Sequence, residues 1–432
     1  MIRKFPIVLR GDGNPWDLGN LYLIYKFTEL AKIEPPSIGT IQSIAKHLMM
    51  YLRWIEHLQN QGEAIHELYF PGEEERRVTF RYNRYLHRLL RANPQPIKLG
   101  VAKARMQAVV GFYRGIFKGG LVTVSEIENA PYDPIVIGMP VVSSAGVQYI
   151  KMVETSNLSI KYFRREGDVG VIKDGGNLRP LTEGEQCILL EYLEGYGNRS
   201  FQLMCFVALF TGARIQTVCT LRVKHIKSML KMTARDGECL LKVGSGTDVD
   251  TKDGVRYSLH FPLKLVAILD EYVRSQEHRE RRDKSFYGES EENYVFLARN
   301  GSPYFTSERE VSDRQEGVYS RRIAPKDRVA FTIQKGHAVR NYVARLIRNI
   351  RHEHPDFNTF RFHDLRATFG MNFVRDADKA GVRDVRDSLK SRMGHRSFQT
   401  TQLYLNYDEN NLEVQKVVSH HHERINRLVN KE

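Results

Sequence analysis

The segment MGHRSFQTTQLYLNY, residues 393–407, fixes one tyrosine at a set distance behind a Gly-His pair. Tyr404 follows His395 by nine residues (404 − 395). Its residue type alone does not single it out, because the chain has 21 tyrosines and Tyr407 lies in the same segment. A phenol has a pKa near 10 and is a poor nucleophile when protonated. Its chemistry therefore depends on which cationic groups the rest of the chain brings to it.

A second segment, FRFHDLRATFGMNF at residues 360–373, supplies two such groups. His363 and Arg366 are three residues apart at a predicted helix start, so their side chains project together. A helix N-terminus favours a phosphate, and the planar arginine fork binds two phosphate oxygens at once. A single HxxR pattern is also explained by ordinary capping and ion pairing, so it gains weight only with further groups.

Two more cations lie further upstream. Arg214 follows a glycine turn at the end of an apolar predicted helix, in LFTGARIQTVCTLRV. Lys252 lies at the tip of a hairpin predicted from the alternating apolar residues of the strand at 255–261. The ordinary alternatives are a helix-boundary cap for Arg214 and a solvated lysine for Lys252.

The same segments lack the residues of other phosphate chemistries. They hold no carboxylate pair for a two-metal nuclease, and the chain has no GxxxxGK[ST] loop for nucleotide hydrolysis. Two arginines, two histidines, a lysine and a tyrosine suit metal-free phosphoryl transfer, in which cationic donors stabilise developing charge. We therefore expect no cofactor and no metal. The run His420–His422 does not change this, because consecutive histidines point in different directions on a helix.

The composition indicates a nucleic-acid partner. The 432 residues carry a net charge of +14, which attracts polyanions. We find no apolar run long enough to span a bilayer and no signal peptide, which predicts a cytoplasmic, nucleoid-associated protein without a membrane partner. The four cysteines form no CxxC pair and lie in apolar stretches, which predicts buried free thiols.

The predicted fold class is mainly α with a small antiparallel β-sheet. Residues 1–36 are interpreted as an N-terminal arm, 37–172 as a helical core-binding domain with a linker, and 173–432 as an α+β catalytic domain with a C-terminal tail helix. Thr182 and Glu185 form a capping-box pattern where the second domain begins. Residues of about 121–172 are difficult to assign, and those of about 275–335 read as charged and irregular.

One helix of the first domain carries an arginine stripe that predicts contact with the DNA backbone. Its four arginines are spaced by 3, 4 and 3 residues and so share a face. Like charges this close repel one another, so an anion is expected to compensate them, although a solvated charged face is the ordinary alternative. The stripe consists of Arg81, Arg84, Arg88 and Arg91.

Taken in order, TGAR, TKDGV, HDLR, MGH and TTQLY resemble the motifs of the tyrosine recombinase (phage integrase) family, over about Leu181 to Tyr407. The resemblance implies a site-specific recombinase that cuts and rejoins double-stranded DNA without ATP or metal, as a tetramer on paired sites. In that family's pattern Tyr404 would attack the phosphorus and form a 3′-phosphotyrosyl bond, and Lys252 would protonate the departing 5′ oxygen. Arg214 and Arg366 would clamp the non-bridging oxygens of the scissile phosphate, and His363 and His395 would donate hydrogen bonds to the same phosphate or move protons.

The sequence departs from the family pattern at two places. Thr217 stands where an acidic residue often follows the first arginine, so the partner of Arg214 is expected to differ. The gap from Lys252 to His363 is long, 111 residues (363 − 252), and we expect residues of about 275–335 to add DNA or partner contacts. A type IB topoisomerase and a non-catalytic DNA-binding protein of the same fold remain as alternatives to an integrase or transposase.

Overall fold

The described residues fold into helices and three small antiparallel sheets, which confirms the predicted fold class. The computed structural model describes residues 5–32, 38–123, 125, 127–142, 148–160, 171–234, 236–317, 331–382 and 384–407. Contacts divide the chain into two compact units, Met1–Arg164 and Arg165–Glu432. Among the described residues, no helix combines the length and the apolarity needed to cross a bilayer.

The first unit is built on four helices around an aromatic core. Apolar residues at three- and four-residue steps give the second helix one buried face, which includes Ile41, Leu48, Leu52 and Ile55. Tyr51 of that helix lies in the core and its hydroxyl is 2.7 Å from the hydroxyl of another buried tyrosine. The helices are α1 (Asp17–Ala31), α2 (Ile38–Asn60), α3 (Val78–Arg91) and α4 (Leu99–Lys118).

The stretch interpreted as an N-terminal arm, residues 1–36, packs onto this core over its described part. It contains α1, and Trp16, Tyr22 and Leu23 are buried against the other helices. Trp16 also donates a hydrogen bond from its indole nitrogen to Glu67 at 2.9 Å. Burial of these large side chains stabilises the unit, so this segment is not a free arm.

The region that was difficult to assign, residues 121–172, forms a β-hairpin over part of its length. Strands β1 (Pro134–Val142) and β2 (Gln148–Ser156) pair antiparallel, with Pro134 opposite Ser156. Most side chains of β2 are exposed, so the hairpin adds little to the apolar core. The run Leu158 to Ile160 returns to the core of the first unit.

The second unit alternates helices with two short hairpins. Its capping box is present as predicted, because the Thr182 hydroxyl accepts from the Glu185 amide and the Glu185 carboxylate accepts from the Thr182 amide. In chain order the elements are β3 (Ile172–Lys173), β4 (Asn177–Leu178), α5 (Glu183–Glu194), α6 (Arg199–Thr211), α7 (Ile215–Cys219), α8 (Val223–Leu230), β5 (Glu238–Val243), β6 (Tyr257–Pro262), α9 (Leu263–Arg274), α10 (Gln276–Asp283), α11 (Glu308–Glu316), α12 (His337–Glu353), α13 (Asp364–Lys379), α14 (Arg386–Met393) and α15 (398–407).

A left-handed glycine ends α6 and turns the chain toward the site. Gly212 has φ +68, and its amide donates to the carbonyl of Ala208. A Cβ at this position would lie 2.5 Å from the ring of Phe369, so both the backbone angle and the space require glycine. The turn places Arg214 directly before α7.

Within the stretch of about 275–335, the described residues, 275–317 and 331–335, are more regular than expected. They contain α10 and α11, and their charged side chains are partly core. Arg281 is buried and donates 2.6 Å and 2.8 Å hydrogen bonds to Ser200 and to the carbonyl of Leu297. The expected DNA or partner contact does not apply to Arg281, because its guanidinium is occupied inside the unit.

The cysteine prediction holds for three of the four residues. Cys205, Cys219 and Cys239 are buried free thiols, whereas Cys187 is exposed on α5. Cys187 lies on the exposed side of α5, together with Glu183 and Glu191. The predicted tail helix and its histidine run lie at 408–432, outside the described residues.

Candidate active site

The predicted catalytic residues come from five separate parts of the second unit. Arg214 lies directly before α7, His363 and Arg366 lie at the start of α13, and His395 follows the left-handed Gly394 that ends α14. The remaining two are Lys252 in the loop between β5 and β6 and Tyr404 in α15.

These elements meet at the carboxylate of Asp174, which sequence reasoning did not single out. Its Oδ1 accepts a hydrogen bond from Nη2 of Arg214 at 2.8 Å. Its Oδ2 accepts from Nε of Arg366 at 2.7 Å, Nε2 of His395 at 3.2 Å and the hydroxyl of Tyr404 at 3.1 Å. The carboxylate is buried, with 3% of the residue exposed. One anion thus binds four of the side chains predicted to surround a phosphate.

The turn that carries Asp174 also touches the other two predicted residues. The backbone carbonyl of Asp174 accepts from Nε2 of His363 at 3.0 Å. A Cβ on Gly175 would lie 3.4 Å from Nζ of Lys252 and 3.8 Å from Nε2 of His363. Lys252 itself is exposed. The structure therefore brings all six predicted residues to one turn, although their catalytic roles stay predictions.

Arg366 has a structural task beside any catalytic one. It is fully buried, and its three nitrogens each make a 2.7 Å hydrogen bond. Nε donates to Asp174, Nη1 to the carbonyl of Gly212 at the end of α6, and Nη2 to the carbonyl of Met393 at the end of α14. Helix C-termini carry partial negative charge, so one guanidinium joins two helix ends and a carboxylate.

The two histidines are neutral hydrogen-bond donors in this arrangement. Burial lowers the pKa of both, and although Asp174 opposes the shift, the positive charge of Arg366 adds to it. A carboxylate only accepts, so Nε2 of His395 carries its proton. Its Nδ1 then accepts from the Thr401 hydroxyl at 3.0 Å, which fixes the ring.

Tyr404 is held protonated and out of solvent. Burial raises the pKa of its phenol, and the charge of Asp174 raises it further against the opposing effect of Arg366. For Asp174, burial alone would raise the pKa, but Arg366, His395 and Arg214 more than offset it and the pKa lies well below its ordinary value. The alternative nucleophile, Tyr407, is half-buried and has no described contact with Asp174.

The partner of Arg214 differs from the family pattern, as the sequence predicted. Thr217, where the family often has an acid, has a buried hydroxyl without a hydrogen-bond partner among the described residues. Arg214 pairs instead with Asp174. Its Nε is likewise buried and unpartnered within the described part of the chain.

A cationic cleft of about 620 Å³ opens beside the turn. None of its described lining residues is acidic, whereas five are basic or histidine. Those five are Arg214, Lys252, Arg340, Arg361 and His363. The cleft therefore presents positive charge beside the turn that carries Asp174.

Asp174 was missed because its segment, which is rich in glycine and charged residues, lies at the predicted boundary between the two domains. The sequence KDGGN carries turn chemistry, and Ile172 and Leu178 on either side alternate as in a hairpin. That pattern would have predicted the β3–β4 hairpin, but not which side chains the carboxylate of Asp174 contacts. Metal sites formed by three or more histidine, cysteine or acidic side chains are absent among the described residues.

The arginine stripe on α3 lines one groove of the first unit. All four arginines border a space of about 620 Å³ together with Trp54 and His87. Carboxylates of the same unit supply part of the expected negative charge, because Arg81 pairs with Glu63 and Arg84 pairs with Glu75 at 3.4 Å. For Arg88 and Arg91, the described residues provide no carboxylate partner. DNA contact by this stripe stays a prediction.

Comparisons with known proteins find structural matches only. No protein-family model matches the sequence, and no curated protein matches it either. A Tn1549 transposon integrase in complex with transposon right end DNA is 14% identical, with 92% of this chain and 99% of that chain covered and a TM-score of 0.46. XerA recombinase is 15% identical, with coverages of 89% and 92% and a TM-score of 0.32.

A lambda integrase dimer bound to a COC′ core site is 12% identical, with coverages of 88% and 93% and a TM-score of 0.42. These proteins are recombinases and integrases, the class whose motifs the sequence resembles. Identities this low concern the fold alone, and TM-scores below 0.5 leave any argument about activity to the residues of this chain.

Proposed function

We propose that this chain is a DNA strand-exchange enzyme of the tyrosine recombinase type, with Tyr404 as its nucleophile. The observation that carries the proposal is the convergence of Arg214, Arg366, His395 and Tyr404 on one buried anion, with their hydrogen bonds between 2.7 and 3.2 Å. A phosphodiester is also a monoanion with two free oxygens. The same donors suit it in place of the carboxylate.

The arrangement suits transition-state stabilisation without a metal. Arg214 and Arg366 would hold the non-bridging oxygens, and His363 and His395 would donate from Nε2. Each such donor typically contributes about 3 kcal/mol to the barrier, or a hundredfold or more in rate. Placement of the donors in a buried site strengthens them, because water does not screen them.

The reaction would be a single displacement at phosphorus. The phenol proton of Tyr404 passes to solvent while the two arginines stabilise the phenolate, the Tyr404 oxygen forms a bond to phosphorus, and the bond from phosphorus to the 5′ oxygen breaks. Lys252, exposed beside the site, would give that oxygen a proton, so the leaving group departs as a hydroxyl. The new 3′-phosphotyrosyl bond keeps the energy of the phosphodiester, and a second 5′ hydroxyl can reverse the step without ATP.

A covalent-trapping experiment tests the assignment without knowledge of the target sequence. The full chain is incubated with a pool of random-sequence duplexes, each with one nick, and denatured in detergent. We expect a protein–DNA adduct whose DNA sequence reveals the site. Tyr404→Phe should bind the selected DNA and form no adduct, whereas Tyr407→Phe, the matched control, should form it at the wild-type level.

Two outcomes would contradict the proposal. An adduct that persists in Tyr404→Phe would place the nucleophile elsewhere, and wild-type binding without any adduct would favour a non-catalytic DNA-binding protein. Exchange of strands between two selected sites would identify a recombinase. Relaxation of any supercoiled plasmid would identify a topoisomerase instead.

The finer parts of the proposal come from the sequence resemblance. An integrase or transposase of a mobile element, a tetramer on paired sites and a nucleoid-associated location all belong to it. Sedimentation of the chain with one and with two copies of the selected site would test the tetramer directly.

A further inference from the structure

The turn of the β3–β4 hairpin places an anion where the proposed reaction needs its substrate. Asp174 uses both carboxylate oxygens on side chains assigned above to the scissile phosphate. The hairpin reaches them from far along the chain, since Asp174 precedes Arg366 by 192 residues and Tyr404 by 230. A carboxylate and a phosphodiester cannot occupy these donors together, because both are anions and the donors face one position.

We propose that Asp174 is a built-in occupant of the phosphate position, which holds the site closed until DNA displaces it. The inference rests on the proposed function and adds a regulatory step to it. Without an anion, the fully buried Arg366 guanidinium would lack a charged partner, and an unpaired buried charge is strongly unfavourable. Asp174 supplies that partner while no phosphate is bound. Entry of a phosphodiester then exchanges one monoanion for another.

The hairpin is built so that its tip can withdraw. Only two residue pairs join its strands, Ile172 with Leu178 and Lys173 with Asn177. The turn between them holds Gly175 at φ +71 and a second glycine, so its backbone has few steric restraints. Ile172 and Leu178 are buried and anchor the base of the hairpin beside Tyr404. Withdrawal of the tip therefore does not require the base to leave the core.

A role for Asp174 as the base that deprotonates Tyr404 fits less well. The hydroxyl of Tyr404 does donate to Oδ2 at 3.1 Å. However, the same oxygen already accepts from Arg366 and His395, and the pKa of Asp174 is held well below its ordinary value. A carboxylate so stabilised as an anion is a weak proton acceptor. Its charge also keeps the phenol protonated, which is the property of a closed site.

A phosphate-binding experiment tests the occupant without any DNA chemistry. Asp174→Asn removes the anion and keeps the size of the side chain. Glu310→Gln is the matched control, because Glu310 is also a fully buried carboxylate that pairs with an arginine and accepts from a tyrosine hydroxyl, at 2.7 Å. The melting temperature of each protein is measured against inorganic phosphate, with sodium chloride at equal ionic strength as the salt control.

We expect Asp174→Asn to be destabilised in chloride and rescued by phosphate. Because hydrogen bonds to charged groups are strong, we expect Asp174→Asn to bind inorganic phosphate with a dissociation constant about tenfold to a hundredfold below that of the wild type. Its melting temperature should then rise at phosphate concentrations that leave the wild type and Glu310→Gln unmoved. A variant that folds only in phosphate would support the inference equally. Equal phosphate responses in all three proteins, or failure of phosphate to restore folding, would overturn it.

The rate of adduct formation separates this inference from the proposed function. On nicked DNA selected by the wild type, folded Asp174→Asn should form the first adduct at least about tenfold faster, because no carboxylate has to leave. If the wild type forms an adduct and Asp174→Asn forms it at an equal or slower rate, the inferred role of Asp174 is refuted and the proposed recombinase function is not. If phosphate rescues Asp174→Asn but neither protein forms an adduct, the proposed function is refuted and the inferred role of Asp174 is not.

Discussion

Replacement of Arg366 by lysine tests the idea that one guanidinium joins two helix ends inside the second unit. Arg366→Lys keeps the charge but offers one nitrogen in place of three. That nitrogen can keep the bond to Asp174, which leaves the carbonyls of Gly212 and Met393 without their 2.7 Å donor. A buried polar group that loses its partner costs about 1–3 kcal/mol. The two carbonyls together predict a loss of about 2–6 kcal/mol in the free energy of unfolding.

The assay is thermal unfolding followed by circular dichroism, with urea unfolding to obtain the free energy. For a domain of this size, about 2 kcal/mol lowers the melting temperature by at least roughly 4 °C. Arg214→Lys is the matched control, because Arg214 is partly exposed and makes a single described hydrogen bond, to Asp174. We expect it to lose at most about 1 kcal/mol of stability and still to lose adduct formation.

A stability of Arg366→Lys within about 0.5 kcal/mol of the wild type would refute this reasoning. So would equal losses in the two lysine variants. Either result would mean that the carbonyls find other partners or that Arg366 acts only on the anion.

Three further predictions follow from separate features. Burial raises the pKa of Asp250 to about 6, so the folded state loses stability as the pH rises from about 4 through 6 and this carboxyl ionises. Asp250→Asn should therefore have a higher melting temperature than the wild type at pH 7.5 and no higher melting temperature at pH 4. The difference in melting temperature between the variant and the wild type at each pH checks this. Gly212→Ala should lower the free energy of unfolding by at least about 2 kcal/mol, because Gly212 has a left-handed φ and a Cβ there would meet the ring of Phe369. Gly195 has φ −79 and lies in open space, so Gly195→Ala should change the free energy of unfolding by less than about 1 kcal/mol. Comparable losses in the two variants would contradict this prediction. Glutamine at Arg88 and Arg91 together should reduce the slope of log affinity for duplex DNA against log salt by about two, and an unchanged slope would remove these residues from the DNA interface.

Thr217 leaves Arg214 with Asp174 as its one carboxylate partner among the described residues. An acid at that position would add a second carboxylate close to Arg214, which already pairs with Asp174 at 2.8 Å. A neutral threonine leaves the guanidinium with one anion to exchange. A Thr217→Asp variant would therefore be expected to compete with Asp174 for Arg214 and to loosen the hairpin turn.

The sequence by itself determined several elements and indicated six residues for the candidate site. Local patterns predicted the apolar helix that ends before Arg214, the helix that starts near His363 and the strand at 255–261, and the capping box fixed the start of α5. For Arg214, Lys252, His363, Arg366, His395 and Tyr404, the resemblance of their motifs to the tyrosine recombinase pattern predicted the class of chemistry. Local patterns carried each of these inferences.

The local patterns failed where charged residues form core. The stretch of about 275–335 read as irregular because its buried side chains include His278, Arg281 and Arg282. Hydropathy counts such residues as exposed, although Nε2 of His278 lies 3.0 Å from the carbonyl of Val295. Hydrogen bonds to partners elsewhere in the chain make this burial possible, and they leave no periodic signal in the sequence.

Only the tertiary structure decided what occupies the site. Asp174 lies 40 residues before Arg214 and 221 before His395, so no spacing rule connects them. The protonation of Tyr404 is likewise a result of burial and of the nearby carboxylate, which exist only after folding. A sequence can indicate which side chains would bind a phosphate, but the anion that stands in its place is set by a hairpin packed against them from a distant part of the chain.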